Sequence, residues 1–139
     1  NNLSNVCFIR TRIDFITSIF DVNEVKEIWL TFPDPQPKKV RKRLTSARFL
    51  NMYQKFLKKP AIIHLKTDND LLFEYTCELI NYNKLKIIEK IDDIYEKKYN
   101  NELLYIQTFY EKQFLKENKK IHYLSFFLDE KEIKEIPEY

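Results

Sequence analysis

Glycine is absent from all 139 residues of this sequence, where ordinary usage of about 7% would supply roughly ten. Glycine is what lets a backbone approach a phosphate closely or turn through positive φ, so a glycine-rich nucleotide-binding loop is excluded from this chain. Cysteine is nearly as scarce. Cys7 and Cys77 lie far apart, lack metal-ligand spacing, and read as buried thiols in a reducing compartment. No run approaches about eighteen apolar residues, which excludes a membrane-spanning helix of the usual kind. No charged and apolar leader is visible either, and a cytoplasmic protein is expected. The chain starts at Asn1-Asn2 rather than Met, so an N-terminal part is expected to be missing.

Negative charge is missing from one long stretch. Between Pro35 and Thr67 there is no Asp or Glu, while Lys38, Lys39, Arg41, Lys42, Arg43, Arg48, Lys55, Lys58, Lys59 and Lys66 are all basic. The formal net charge is only +3, so the rest of the chain is acidic. Segregation of this kind implies a polyanion-binding face on an acidic body.

The apolar pattern gives the elements. Val6-Cys7-Phe8-Ile9 reads as a short buried strand, and Ile13, Ile16, Ile19 and Phe20 share one helical face. Val25 to Phe32 reads as a strand ended by prolines that cannot continue a ladder. Thr45 or Ser46 caps a helix with Phe49, Leu50, Tyr53, Phe56 and Leu57 inward, broken at Pro60. Ala61 to Leu65 is a near-continuous apolar strand, and Asp68 or Asn69 caps a helix burying Leu72, Tyr75, Thr76 and Leu79. Lys86 to Ile91 is a further strand, 92–103 a loop or short helix, Thr108 a helix start, and Ile121 to Leu128 a final strand. The charged residues after Asp129 are expected to fray. Strand and helix alternate throughout, which implies an α/β sheet covered by helices on both faces. His64 and His122 fall within strands and read as packed imidazoles, with no metal site. The tyrosines Tyr95, Tyr99, Tyr105 and Tyr110 suit base stacking and core packing equally well.

The segment Phe32-Pro33-Asp34-Pro35-Gln36-Pro37-Lys38-Lys39-Val40-Arg41-Lys42-Arg43-Leu44-Thr45 follows a strand and sets one carboxylate, stiffened by prolines, before a basic cluster. With Lys66-Thr67-Asp68-Asn69, Leu72-Phe73-Glu74-Tyr75 and Thr108-Phe109-Tyr110-Glu111, it resembles the tRNA (guanine-N7)-methyltransferase family in order and spacing. The resemblance covers nearly the whole chain but only the later part of the family's domain. It implies a partial Rossmann-like S-adenosylmethionine-dependent methyltransferase fold with strand order 3-2-1-4-5-7-6. This chain supplies strands 3 through 7, the last antiparallel, over residues 1–128, followed by a charged tail at 129–139. The two missing strands leave a gap of roughly 14 Å between its first and second strands.

The resemblance also assigns roles. Asp34 becomes the catalytic residue and the chain's one cofactor-binding residue. Lys38, Asp68, Thr108, Phe109, Tyr110 and Glu111 become substrate-binding residues, and Lys39, Arg41, Lys42 and Arg43 contact RNA. The implied cofactor is S-adenosylmethionine and the implied partner is tRNA. Two departures from the family pattern are Gln36, where tryptophan is usual, and a basic segment about two residues shorter. Arg12 aligns with an Asp or Asn that touches the cofactor's adenine region, and that contact is not assigned to it. The residues themselves keep other readings open. Asp34 is also an ordinary turn aspartate, Asp68 an ordinary helix cap, and Thr-x-x-Glu an ordinary capping box. A non-catalytic RNA-binding module using the basic face is the rival reading of the whole.

Overall fold

In the computed structural model, which describes residues 2–137, a four-stranded mixed sheet carries helices on both faces. The strands are β1 (Val25–Thr31), β2 (Leu57–Thr67), β3 (Ile87–Ile91) and β4 (His122–Leu128), and the helices α1 (Ala47–Tyr53), α2 (Asp70–Tyr82) and α3 (Phe109–Lys116). Short 3₁₀ turns cover Ile13–Ser18, Val40–Lys42 and Glu102–Tyr105. The sheet order is β1-β2-β4-β3, with β1 and β2 parallel and β4 antiparallel to both its neighbours. That order and the antiparallel last strand are those expected for strands 4-5-7-6 of the methyltransferase sheet.

Alternation along the strands divides the core. Leu30, Ile63, Leu65, Leu124 and Phe126 face α1 and α2, whose Phe49, Leu50, Tyr53, Leu72, Leu79 and Ile80 are buried against them. On the opposite face, Ile91, Tyr123 and Trp29 meet Leu104, Phe114 and Leu115, so the 92–108 segment and α3 form the second layer. β2 lies between β1 and β4, and its residues 61–67 are all buried or nearly so. The apolar run Ala61 to Leu65 is the expected signature of such a strand.

Four expectations are corrected. Val6–Ile9 forms no strand: Val6, Phe8 and Ile9 are exposed, with Phe8 at 94%. A strand needs a neighbour to take its amides and carbonyls, and the sheet ends at β1. Cys7, in the same segment, is exposed rather than buried, whereas Cys77 is buried. β2 begins at Leu57 and includes Pro60, because its register against β1 slips between Val25↔Leu57 and Glu27↔Ile62. Pro60 falls in that bulge, where a missing N–H disrupts no ladder.

The fourth concerns the residues after Asp129, which are docked as far as they are described. Ile133 is 2% exposed. The Asn51 side chain brackets it, donating to the Ile133 carbonyl at 2.9 Å and accepting from its amide at 2.8 Å. Asn83 does the same for Lys134, both at 2.8 Å. Two carboxamides read this backbone as a strand would, and together with burial of Ile133 they oppose the entropy of ordering a charged segment.

Candidate functional site

The carboxyl ends of β1 and β2 lie together, as parallel neighbours must. Thr31 pairs with Lys66, and the Phe32 amide donates to the Lys66 carbonyl at 2.8 Å. Asp34 and Asp68 therefore leave the sheet at one edge, where ligands of open α/β sheets bind. α3 joins them: the Phe32 and Phe114 rings are 5.6 Å apart, and Lys119 just beyond α3 reaches Asp68 at 3.2 Å. The three segments singled out by sequence thus converge.

The loop carrying Asp34 is strained. With no glycine available, positive φ falls on other residues, among them Phe32 at 50° and Gln36 at 45°. Left-handed backbone costs a non-glycine residue of order 1–3 kcal/mol and collects at functional sites. One Asp34 oxygen accepts from the Gln36 amide at 2.9 Å, so it does make the ordinary turn. Among the described residues its other oxygen has no partner, and the residue is exposed. Asp34, Arg12, Lys42 and Arg48 line a cavity of about 290 Å³ together with Gln36 and Phe49. Arg12 and Arg48 both reach Asp14 there, at 3.4 and 2.8 Å.

Lys38, Lys39, Arg41 and Lys42 are exposed, and among the described residues none is paired with a carboxylate. Arg43 departs from the expectation. It is 2% exposed and turned inward, donating to the carbonyls of Pro35, Gln36 and Pro37. It holds the loop from below and does not join the exposed cations. Lys66 leaves the basic face as well, being 2% exposed. Lys59 is half-buried, and desolvation is the main influence lowering its pKa. The acid-free stretch is therefore partly interior.

The Thr-x-x-Glu segment divides. Thr108 caps α3, accepting from the Glu111 amide at 3.2 Å. The return half of a capping box is not made. Glu111 is fully buried: one oxygen binds the Lys66 ammonium at 2.7 Å and the other accepts from the Tyr95 hydroxyl at 2.6 Å. An ammonium is a stronger partner for a carboxylate than a backbone amide. Glu111 is thus an interior residue, whereas Phe109 and Tyr110 are 70% and 61% exposed. Lys66 also donates to the carbonyls of Leu104 and Ile106, at 2.6 and 3.2 Å. Thr108, Trp29, Thr31 and Lys66 line a second cavity of about 260 Å³.

Asp68 does not cap α2; Asn69 does, accepting from the Leu72 amide at 2.9 Å. Asp68 instead lines an open groove of about 860 Å³ with Asp70, Asp92, Lys119, Lys120 and His122. His122 is held there between Asp70 and Asp92, at 2.7 and 3.3 Å, with its ring stacked on Phe73 at 4.4 Å. His64 is packed too, stacked on Trp29 at 3.9 Å and bridging Glu27 and Tyr123, both at 2.7 Å. Burial lowers its pKa despite Glu27, whose carboxylate stays half in solvent. Asp34, Thr108 and Asp68 accordingly line three separate cavities rather than a single pocket. Sequence reasoning had no signal for Lys66 as a hub, since its partners are thirty-eight to forty-five residues away.

The mixed sheet, its strand order and its antiparallel last strand are those of a partial Rossmann-like methyltransferase fold. A family described as "Putative methyltransferase" matches residues 1–124, and the chain belongs to that family. It is similar to proteins named tRNA (guanine-N(7)-)-methyltransferase. The one from Porphyromonas gingivalis is 50% identical over 129 residues, 92% of this chain and 53% of the relative. The one from Bacteroides thetaiotaomicron is 43% identical over 136 residues, 98% and 54%. That of Christiangramia forsetii is 46% identical over 127 residues, 89% and 57%. The chain spans about half the length of the curated relatives it matches.

Proposed function

We propose that this chain forms the substrate side of a tRNA (guanine-N7)-methyltransferase, which methylates N7 of a guanosine in the tRNA variable loop. The observation that carries this reading is the juxtaposition at the carboxyl edge of β1. Asp34 projects from a strained turn there, directly ahead of four cations with no carboxylate partner among the described residues. The similarity to enzymes of that name supports the same substrate.

Guanine N7 already offers a lone pair, so the protein has no proton to remove before transfer. The task left to it is alignment, which proximity alone makes effective. Asp34, with one oxygen spare, accepts from the N1–H and N2–H edge of guanine and favours the positive charge that methylation places on the purine. Lys38, Lys39, Arg41 and Lys42 hold the phosphate backbone, which positions the substrate without reading its sequence. Phe109 and Tyr110 offer exposed rings on which bases stack, and Thr108 and Asp68 flank the edge. The compartment proposed for it is the cytoplasm.

S-adenosylmethionine supplies an electrophilic methyl group in such enzymes. The residues of this chain do not by themselves enclose it. The Asp34 cavity, about 290 Å³, falls just below the range of roughly 300–1,000 Å³ typical of cofactor sites. With no glycine, the chain also has no loop for close backbone approach. We therefore assign Asp34 as one wall of that site.

The test is methyl transfer from labelled S-adenosylmethionine to tRNA by the complete protein, with 7-methylguanosine identified after nucleoside digestion. Asp34→Ala abolishes transfer and leaves tRNA affinity within a few fold. Full activity in that variant refutes the catalytic assignment. Tight tRNA binding without any transfer by the wild type makes the protein an RNA-binding module instead.

A further inference from the structure

We propose that Arg43 is a positioning residue for the loop that carries Asp34 and Lys38, and that the C-terminal segment sets Arg43 through Tyr75 and Glu135. The proposal rests on the functional reading above, in which that loop meets the substrate.

The loop holds itself only in part, through the Gln36 amide on Asp34 at 2.9 Å and the Lys39 amide on the Gln36 carbonyl at 3.1 Å. Pro33, Pro35 and Pro37 have no N–H to donate, and left-handed backbone at Phe32 and Gln36 persists only where the surroundings over-determine it. The Pro35 and Pro37 carbonyls take their donors from outside the loop. Arg43 supplies them: Nε is shared between Pro35 O at 3.1 Å and Gln36 O at 3.3 Å, and Nη2 reaches Pro37 O at 3.4 Å. These are the three residues between Asp34 and Lys38. A planar fork reaches three successive carbonyls in a way that a point charge cannot.

The guanidinium is placed in turn. It lies 4.5 Å from the ring centroid of Tyr75, a fully buried residue of α2, close enough for cation–π attraction. The Tyr75 hydroxyl donates to Glu135 Oε1 at 2.6 Å. The second Glu135 oxygen accepts from the Ala47 amide, the first residue of α1, at 3.2 Å. Ser46 at the helix N-cap makes no side-chain cap bond to α1, so Glu135 does that work from the far end of the chain. Ile133 and Lys134 are bracketed by Asn51 and Asn83 just before it. A continuous path therefore runs from residues 133–135, through Glu135 and Tyr75, to Arg43 and the backbone on either side of Gln36. This path explains why an arginine within an RNA-contacting stretch is buried, and why a charged terminal segment is ordered.

The experiment uses the complete protein with Tyr75→Phe, Glu135→Ala, Arg43→Met and Arg43→Lys. Two quantities are read: native-state tryptic cleavage within 38–42, and methyl transfer to tRNA resolved into kcat, KM and salt dependence. Tyr75→Phe removes one oxygen and keeps the ring under Arg43, so it decides the matter even where an Arg43 variant fails to fold. The expected result is cleavage several-fold faster than wild type, with kcat lower by about tenfold and KM for tRNA within about twofold. Arg43→Lys should rescue neither, since charge is not the operative property. Wild-type cleavage and kcat in both Tyr75→Phe and Glu135→Ala would overturn the proposal. So would a loss confined to KM with a shallower salt dependence, which would make Arg43 an RNA contact. Absence of methyl transfer by the wild type defeats the functional reading alone, because cleavage still reports on the loop.

Discussion

Replacing Lys66 or Glu111 is the most direct measure of what holds the candidate site together. The pair is 2.7 Å apart with side chains 2% and 0% exposed. Glu111→Gln keeps an acceptor for the Tyr95 hydroxyl but turns an amide toward the ammonium and leaves that cation buried. Lys66→Met strands the carboxylate and takes the donor from the Leu104 and Ile106 carbonyls. Breaking one side of a buried pair costs about 3–5 kcal/mol, a large share of the roughly 5–15 kcal/mol available to a domain. The double variant Lys66→Met/Glu111→Leu removes both charges and is expected to recover most of the loss. Its residual cost comes from Tyr95, Leu104 and Ile106, each about 1–3 kcal/mol if it stays dry. Tyr95 and Ile106 reach solvent, so the lower end applies. The cycle should therefore show coupling of about 3 kcal/mol or more. Urea denaturation followed by fluorescence is suited to it, because Trp29 is the single tryptophan and lines the same cavity as Lys66. Single variants each costing under about 1 kcal/mol, well below the buried-pair range, or a double variant costing their sum, would refute the reasoning.

Two further outcomes are expected. Replacing Lys38, Lys39, Arg41 and Lys42 by alanine should weaken tRNA binding and reduce the slope of log K against log salt by about three; an unchanged slope would remove these residues from the RNA contact. The pH dependence of stability should carry a His64 component. Burial lowers its folded pKa below 6.5, so below that pH the unfolded chain binds the extra proton first. Stability is then complete above about pH 6.5 and falls as pH drops toward the folded pKa. Urea midpoints at mildly acidic and neutral pH should differ in wild type and converge in His64→Gln, and a pH-independent wild-type midpoint would contradict the assignment.

The sheet was legible because its strands announce themselves locally. Ala61 to Leu65 and Ile121 to Leu128 are apolar runs bounded by turn residues, and their pairing follows from topology rules. Val6–Ile9 carried the same local signal and failed, since strand formation needs a neighbour that apolar pattern cannot supply. Asp34 and the exposed quartet were legible as a proline-stiffened acid before a charge cluster. Burial of particular charges was not. Arg43 and Arg41 are indistinguishable as sequence, yet one is inside because three carbonyls and a ring converge on it. Glu111 fits a capping box by spacing, and only the distant Lys66 explains why its carboxylate points elsewhere.

The two interior cations of the acid-free stretch are not of one kind, and their chemistry follows what each must hold. Around Lys66 three acceptors converge on a point: two carbonyls and a carboxylate oxygen at 2.6 to 3.2 Å. A compact ammonium with three donors satisfies them, and a guanidinium would need room that the fully buried Glu111 and Leu104 do not leave. Around Arg43 the acceptors are spread along the backbone, and one side of the group is the face of Tyr75. That geometry calls for a plane with donors along its rim. Both cations tie down segments that reach the same sheet edge, the Asp34 loop by Arg43 and the 104–111 segment by Lys66. The charges missing from the exposed basic cluster are thus the ones that fix where the remaining charges stand.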